Sequence, residues 1–159
     1  MKKFVLISSL VSVILFALSC GDDKPKQEPS ANEAKDVSAN DKPAYDPKRG
    51  EGKFNKVEIA AALDAGMAEK GNKVYTVKCS PCHKLTDEKL VGPGWKGVTA
   101  RRTPEWIMNF VTNTEEMIDK DPEVQAQLEL CLVRMPNQNV SDDEARAIYE
   151  FQRRNDGVK

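Results

Sequence analysis

The chain has 159 residues, 31% charged and 40% hydrophobic, with 24 Lys and Arg set against 25 Asp and Glu. That length suits one ordinary domain, and the near-neutral balance without a broad basic excess argues against a nucleic-acid partner. A single histidine, His83, leaves no second imidazole for a catalytic triad, a proton shuttle or a separate metal site.

Residues 1–19 read as an export signal. Lys2 and Lys3 form a short positive region, Phe4 to Leu18 is an apolar run broken only by Ser8, Ser9 and Ser12, and Ser19-Cys20 closes it. The run is too short and wrongly flanked for a membrane-spanning helix. Ala17-Leu18-Ser19-Cys20 resembles a bacterial lipoprotein signal, although Ala17 stands where that motif usually has Leu. The resemblance implies lipid on Cys20, which becomes the mature N-terminus and anchors an exported protein to a membrane facing the periplasmic space. An ordinary secretory signal cut nearby would instead leave Cys20 a free thiol.

Residues 20–53 are expected to be a disordered tether. The stretch is rich in Asp, Glu, Lys, Pro, Ser, Ala and Asn, and Val37 and Tyr45 are its only large apolar residues. It cannot bury enough surface to offset the entropy of ordering it. As a coil it spans about 30 Å.

Residues 54–159 are expected to be the folded domain, all-α, with about four helices. Phe54 to Ala62 is an ambiguous N-terminal turn. Asp64 caps a helix that runs to Lys78, and Gly71 inside it costs about 1 kcal/mol relative to Ala unless another helix approaches closely. Thr103-Pro104 starts a second helix, with Trp106, Ile107, Phe110 and Val111 on its apolar face. Asp121-Pro122 repeats that start signal ahead of Val124, Leu128 and Cys131 or Leu132. Ser141 and Glu144 make a capping box before a last helix with Ala145, Ile148, Tyr149 and Phe151.

The first helix leads into Cys79-Ser80-Pro81-Cys82-His83. A Cys-x-x-Cys-His run is the attachment site of c-type haem: the two thiols form thioethers and the histidine offers one axial ligand. The second axial position decides function. A methionine closes the site for electron transfer and raises the potential, whereas an open position suits a peroxidase-like enzyme or a gas sensor. Met67 and Met108 sit in helical patterns where methionine fills cores. Met117 lies in an acidic stretch, partly exposed. Met135 precedes Pro136 in a stiff loop just before the last helix, with enough chain to return to the far side of the haem. Met135, Met117 and no protein ligand all stay open, with Met135 preferred.

Other chemistry has less support. Cys79, Cys82, His83 and Cys131 could make a four-ligand zinc set, but that leaves the signal and the methionine loop unexplained. A dithiol oxidoreductase wants a βαβ context, which is not readable. Cys131 is expected to pack as a small buried apolar residue, an intermolecular disulfide being the alternative. Lys70, Lys73, Lys78, Lys84, Lys89, Lys96, Arg101 and Arg102 surround the motif, while Glu115, Glu116, Asp119, Asp121 and Glu123 follow. The pattern reads as a solvated mixed surface, or as a basic rim for an acidic partner.

Several features in order resemble class I c-type cytochromes, the monohaem electron carriers. They are Gly71 and Tyr75 before the motif, the motif itself, Val91-Gly92-Pro93-Gly94, Met135-Pro136, and Ser141 to Ala145 with Tyr149. The resemblance implies one covalently bound haem c on Cys79 and Cys82, with His83 and Met135 on the iron. It further implies that the Pro93 carbonyl accepts from His83, that Gly71 meets Tyr149 where the first and last helices cross, and that Trp95, Trp106, Ile107 and Phe110 keep water off the porphyrin. By the same resemblance the partners are an electron donor and an electron acceptor, such as a respiratory complex or a terminal reductase or oxidase.

Overall fold

The structure is a computed structural model that describes residues 45–159. The signal sequence, Cys20 and most of the proposed tether lie outside the described residues.

Six α-helices make up the domain: α1 (Ala65–Val74), α2 (Val98–Arg101), α3 (Pro104–Thr112), α4 (Thr114–Lys120), α5 (Pro122–Cys131) and α6 (Asp142–Asn155). The four helices expected from the sequence are α1, α3, α5 and α6, and two short helices join them. Their starts follow local chemistry. The Asp64 carboxylate accepts from Met67 N at 2.8 Å, Thr103 Oγ1 accepts from Trp106 N at 3.1 Å, and Asp121 Oδ1 accepts from Glu123 N and Val124 N. Ser141 and Glu144 close their box in both directions, at 3.2 and 2.9 Å. Each cap satisfies N–H groups that a helix start leaves without partners.

The first and last helices cross at Gly71. A Cβ there would lie 2.0 Å from the Ala147 carbonyl oxygen and 2.8 Å from Phe151 Cβ. The partner of Gly71 is therefore the Ala147 backbone with Phe151, and not Tyr149 as the resemblance implied. Tyr75 stays on this side, its ring 5.1 Å from that of Phe151. Tyr149 turns instead into a second cluster with Trp106, Ile107, Met117, Ile118 and Val124. Helix α6 thus carries two apolar faces, one toward α1 and one toward α3 and α4.

Met117 is fully buried, contrary to the partial exposure expected of its acidic neighbourhood. Helix α4 is amphipathic within two turns: Glu115, Glu116 and Asp119 face out while Met117 and Ile118 face in. The Met117 sulfur accepts from Glu51 N at 2.9 Å.

That contact belongs to a strap that moves the start of the domain. The tether was expected to extend to residue 53, yet residues 45–53 pack on the helices. Tyr45 donates to Asp121 Oδ2, and Gly50 sits against Met117 and Trp106. The strap has no strand or helix of its own, so its backbone groups need side-chain partners. Asn109, wholly buried, supplies three: Oδ1 accepts from Phe54 N at 2.9 Å, and Nδ2 donates to Arg49 O and Phe54 O at 3.0 and 2.9 Å. Arg153 donates to Ala60 O and Ala61 O further along. The composition of 45–53 is polar because the strap is held by hydrogen bonds more than by apolar burial. Asn109→Leu, similar in size but unable to bond, is expected to cost about 3 kcal/mol, since buried partners are left unmet. That corresponds to a melting temperature lower by ~15 °C. Hydrogen exchange should show the Phe54 amide losing protection first, and an unchanged Phe54 amide would refute the anchoring role.

Candidate functional site

Helix α1 does not run unbroken to the motif as expected. After Val74 the chain widens into a π-turn over Tyr75–Cys79, closed by Ser80 N donating to Tyr75 O at 2.9 Å. Such a turn adds one residue and rephases the side chains that follow, and π-turns recur at functional sites. Here Cys79 is buried and Cys82 half-buried. Cys82 N and His83 N both donate to Cys79 O, at 3.0 and 2.9 Å, which folds the motif into a tight loop.

His83 is 9% exposed. Its Nδ1 lies 2.9 Å from the Pro93 carbonyl oxygen. A carbonyl only accepts, so Nδ1 carries the proton and Nε2 keeps its lone pair for a metal. Burial lowers the basicity of the ring, partly opposed by the Pro93 bond, so the imidazole is neutral. The loop after the motif bends back to make this possible: Gly92 N donates to Cys82 O and Trp95 N to Lys84 O, each at 2.9 Å. Gly92 is required there, because a Cβ would lie 2.4 Å from His83 Cε1. The Tyr75 hydroxyl donates to His83 O at 2.7 Å, and the Trp95 ring sits 5.5 Å from the imidazole.

A cavity of about 320 Å³ opens beside this histidine. Its walls include Cys79, Cys82, His83 and Pro93 from one side and Met135 with Pro136 from the methionine loop. Trp95, Trp106, Ile107 and Phe110 also line it, and the two tryptophans are each 8% exposed. The Trp106 ring stacks on Phe110 at 5.1 Å and carries the Arg102 guanidinium at 4.2 Å on its face. Met135 is the one methionine among the described residues that lines the cavity; Met117 and Met108 are core residues.

Two contacts that sequence reasoning missed hold the methionine loop. Arg134 Nη2 donates to Asp119 Oδ1 at 2.8 Å, tying the residue before Met135 to α4. Lys78, next to the first motif cysteine, donates to Asn139 O at 3.3 Å and to both Glu144 oxygens at 3.0 Å. The Ser141 amide and Lys78 hold the Glu144 carboxyl below the usual carboxylate range, so this link is intact at neutral pH. The bonds run between residues far apart in the chain and leave no local sequence signal. Neither Asn137 nor Asn139 bonds Met135: Asn137 Oδ1 instead accepts from Asn139 N at 2.8 Å.

The residues present fit a c-type haem. The walls are mostly apolar, two thiols lie together on one side, a neutral histidine with a fixed tautomer is cradled against Gly92, and a thioether enters from the loop. They do not fit zinc. Among the described residues no three His, Cys, Asp or Glu side chains come together as a metal would need, so Cys131 does not join Cys79, Cys82 and His83. Nor do they fit dithiol redox chemistry, which needs a stabilised thiolate: burial pushes the Cys79 thiol up to about 11. Cys131 is half-buried on the cavity wall, more open than the core position expected of it, because the end of α5 splays outward with Leu130 and Leu132 exposed. The basic rim is also partly neutralised within the chain, by Lys84 with Glu88 and Arg102 with Glu123.

Comparison with known proteins agrees with that fit. The family model described as Cytochrome c matches residues 68–154. A cytochrome c from Rhodothermus marinus is 32% identical with a TM-score of 0.64, covering 66% of this chain and 90% of that one. An engineered form of the Rhodothermus marinus protein, Rma TDE, is 31% identical with a TM-score of 0.63 over the same shares. The same engineered protein bound to a carbene intermediate is also 31% identical, with a TM-score of 0.60. No curated protein matches the chain.

Proposed function

The chain belongs to the cytochrome c family and binds one haem c covalently, and from that premise we propose that it is a one-electron carrier with both axial positions of the iron filled. In this reading Cys79 and Cys82 carry the thioethers, and His83 and Met135 are the axial pair. The observation that carries it is the cavity itself, in which the imidazole and, of the methionines among the described residues, Met135 alone are both wall residues. When bound, the haem supplies a reversible one-electron couple at its iron.

The chain's own groups do the rest. Pro93 fixes the His83 tautomer and ring orientation, which steadies the ligand in both oxidation states. Trp95, Trp106, Ile107 and Phe110 exclude water, so little solvent must reorganise when charge changes. Arg134 and Lys78 hold the Met135 loop from either side, so the thioether need not move. An open-iron enzyme or sensor would gain nothing from a restrained methionine at that wall.

The finer proposal keeps the export signal, lipid on Cys20, and a tether ending near Tyr45. Among the described residues no helix is long and apolar enough to cross a membrane, so anchoring would fall to the lipid. The domain would then shuttle electrons between redox proteins at a membrane facing the periplasmic space, from a donor to a respiratory complex or terminal reductase or oxidase.

Absorption spectra of the oxidised and reduced protein test the core of this reading. The oxidised protein should show the weak far-red band of methionine on ferric iron. The reduced protein should not take up carbon monoxide. Tight carbon monoxide binding by the wild type would refute the carrier reading.

A further inference from the structure

Among the described residues Glu150 and Asp121 are buried carboxylates, 1% and 2% exposed. Glu150 is met by cations: Arg146 Nη2 and Arg153 Nη1 donate to its Oε1 at 2.7 and 2.8 Å. Asp121 has neutral partners. Its Oδ1 accepts from Glu123 N and Val124 N at 2.8 and 3.1 Å, and its Oδ2 accepts from Trp106 Nε1 at 2.8 Å and from the Tyr45 hydroxyl. Burial alone would push the carboxyl up, but the bonds from Tyr45, Trp106, Val124 and Glu123 bring it below its ordinary range, so it is an anion at neutral pH. The Arg102 guanidinium on the Trp106 face is itself paired with Glu123. The charge of Asp121 is thus hydrogen-bonded without being cancelled.

That charge stands directly behind the cavity wall. Trp106, Glu123 and Val124 all line the cavity, and each gives an N–H to Asp121. Capping α5 uses Oδ1 alone, so Oδ2 has work of its own, which is to hold the Trp106 indole from behind. A charge in a buried setting is screened less than one in water and is felt further. Ferric haem carries one more positive charge than ferrous haem, so an anion behind the wall favours the ferric state. Each donor on Oδ2 weakens that field. The Tyr45 hydroxyl is such a donor, and it comes from the strap, 76 positions away in the chain.

We propose that Asp121 is a positioning residue that holds Trp106 against the haem and lowers the reduction potential through its charge, and that Tyr45 moderates that charge from the strap. The inference rests on the haem c reading above but not on the identity of either axial ligand. It makes the strap part of the redox site and gives Tyr45 a role beyond closing the domain.

Potentiometry of the haem-loaded full chain tests it. Asp121→Asn keeps the size and the helix cap but removes the charge. At a fixed solution potential its ferrous-to-ferric ratio should rise several-fold over wild type. Tyr45→Phe should move the ratio the opposite way, and the same change made in the Asp121→Asn background should do nothing. A wall that merely loosens admits water and favours the ferric state, so it cannot give the rise. An Asp121→Asn potential that is unchanged or lower, or a Tyr45→Phe shift that persists without the carboxylate, would overturn the proposal. If Asp121→Asn does not accumulate, Tyr45→Phe decides alone: in the reduced protein the Trp106 indole N–H resonance should shift and the potential should fall, and a wild-type value of either would overturn it. Mass measurement comes first: a wild type without covalent haem would refute the haem reading itself, a failure distinct from that of Asp121.

Discussion

Met135→Ala is expected to turn a closed haem protein into one whose reduced form binds carbon monoxide stoichiometrically and whose oxidised form binds cyanide. The far-red band should vanish, and the reduction potential should fall by on the order of 0.2 V, a fraction of the ~0.8 V that axial ligands span. The domain should still fold, because Arg134 anchors the loop to Asp119 and Lys78 anchors its far end at Asn139 independently of the methionine. Met135→His is the useful companion. It offers a second imidazole, so the iron should stay closed to carbon monoxide while the potential still falls. A Met135→Ala protein that keeps the far-red band, or resists carbon monoxide, would show that another group holds the sixth position.

Gly71→Ala should destabilise the domain by about 3 kcal/mol, against the local preference of a helix. Alanine in a helix interior is favoured over glycine by about 1 kcal/mol. The new methyl group would, however, sit 2.0 Å from the Ala147 carbonyl oxygen and 2.5 Å from its carbonyl carbon. Backbone cannot swing aside as a flexible side chain can, so α1 and α6 must separate along the contact that joins the first and last helices. Overpacking of a tight core commonly costs 1–3 kcal/mol and sometimes more. Thermal unfolding of the haem-loaded protein checks this, with an expected drop of ~15 °C. A variant as stable as wild type would mean that the helices do not cross at Gly71.

Much of the site was legible because its chemistry is local. Cys79, Cys82 and His83 fall within five consecutive residues, and haem attachment needs that spacing whatever the fold. Helix starts at Asp64, Thr103, Asp121 and Ser141 were legible for the same reason, since a cap is an interaction between a residue and the amides two or three positions on. Met135 was singled out by the neighbouring proline and by elimination. What failed to show was everything set by periodicity too short to read or by contacts across the chain. Two turns of α4 gave no visible face, so Met117 was taken for a half-exposed residue when it is core. The strap from Tyr45 looked like linker because its composition is polar, and its partners Asn109, Met117 and Asp121 lie far along the sequence.

The chain alone therefore pointed to the kind of cofactor and to the residues that could touch it, because bonding chemistry depends on residue type and spacing. Only the folded chain decided that His83 Nδ1 is committed to Pro93, that Met135 alone among the methionines of the described residues lines the cavity, and that Arg134 and Lys78 hold its loop. Those outcomes depend on burial and on distances between residues up to a hundred positions apart, and burial is a property of packing that no local window of sequence contains.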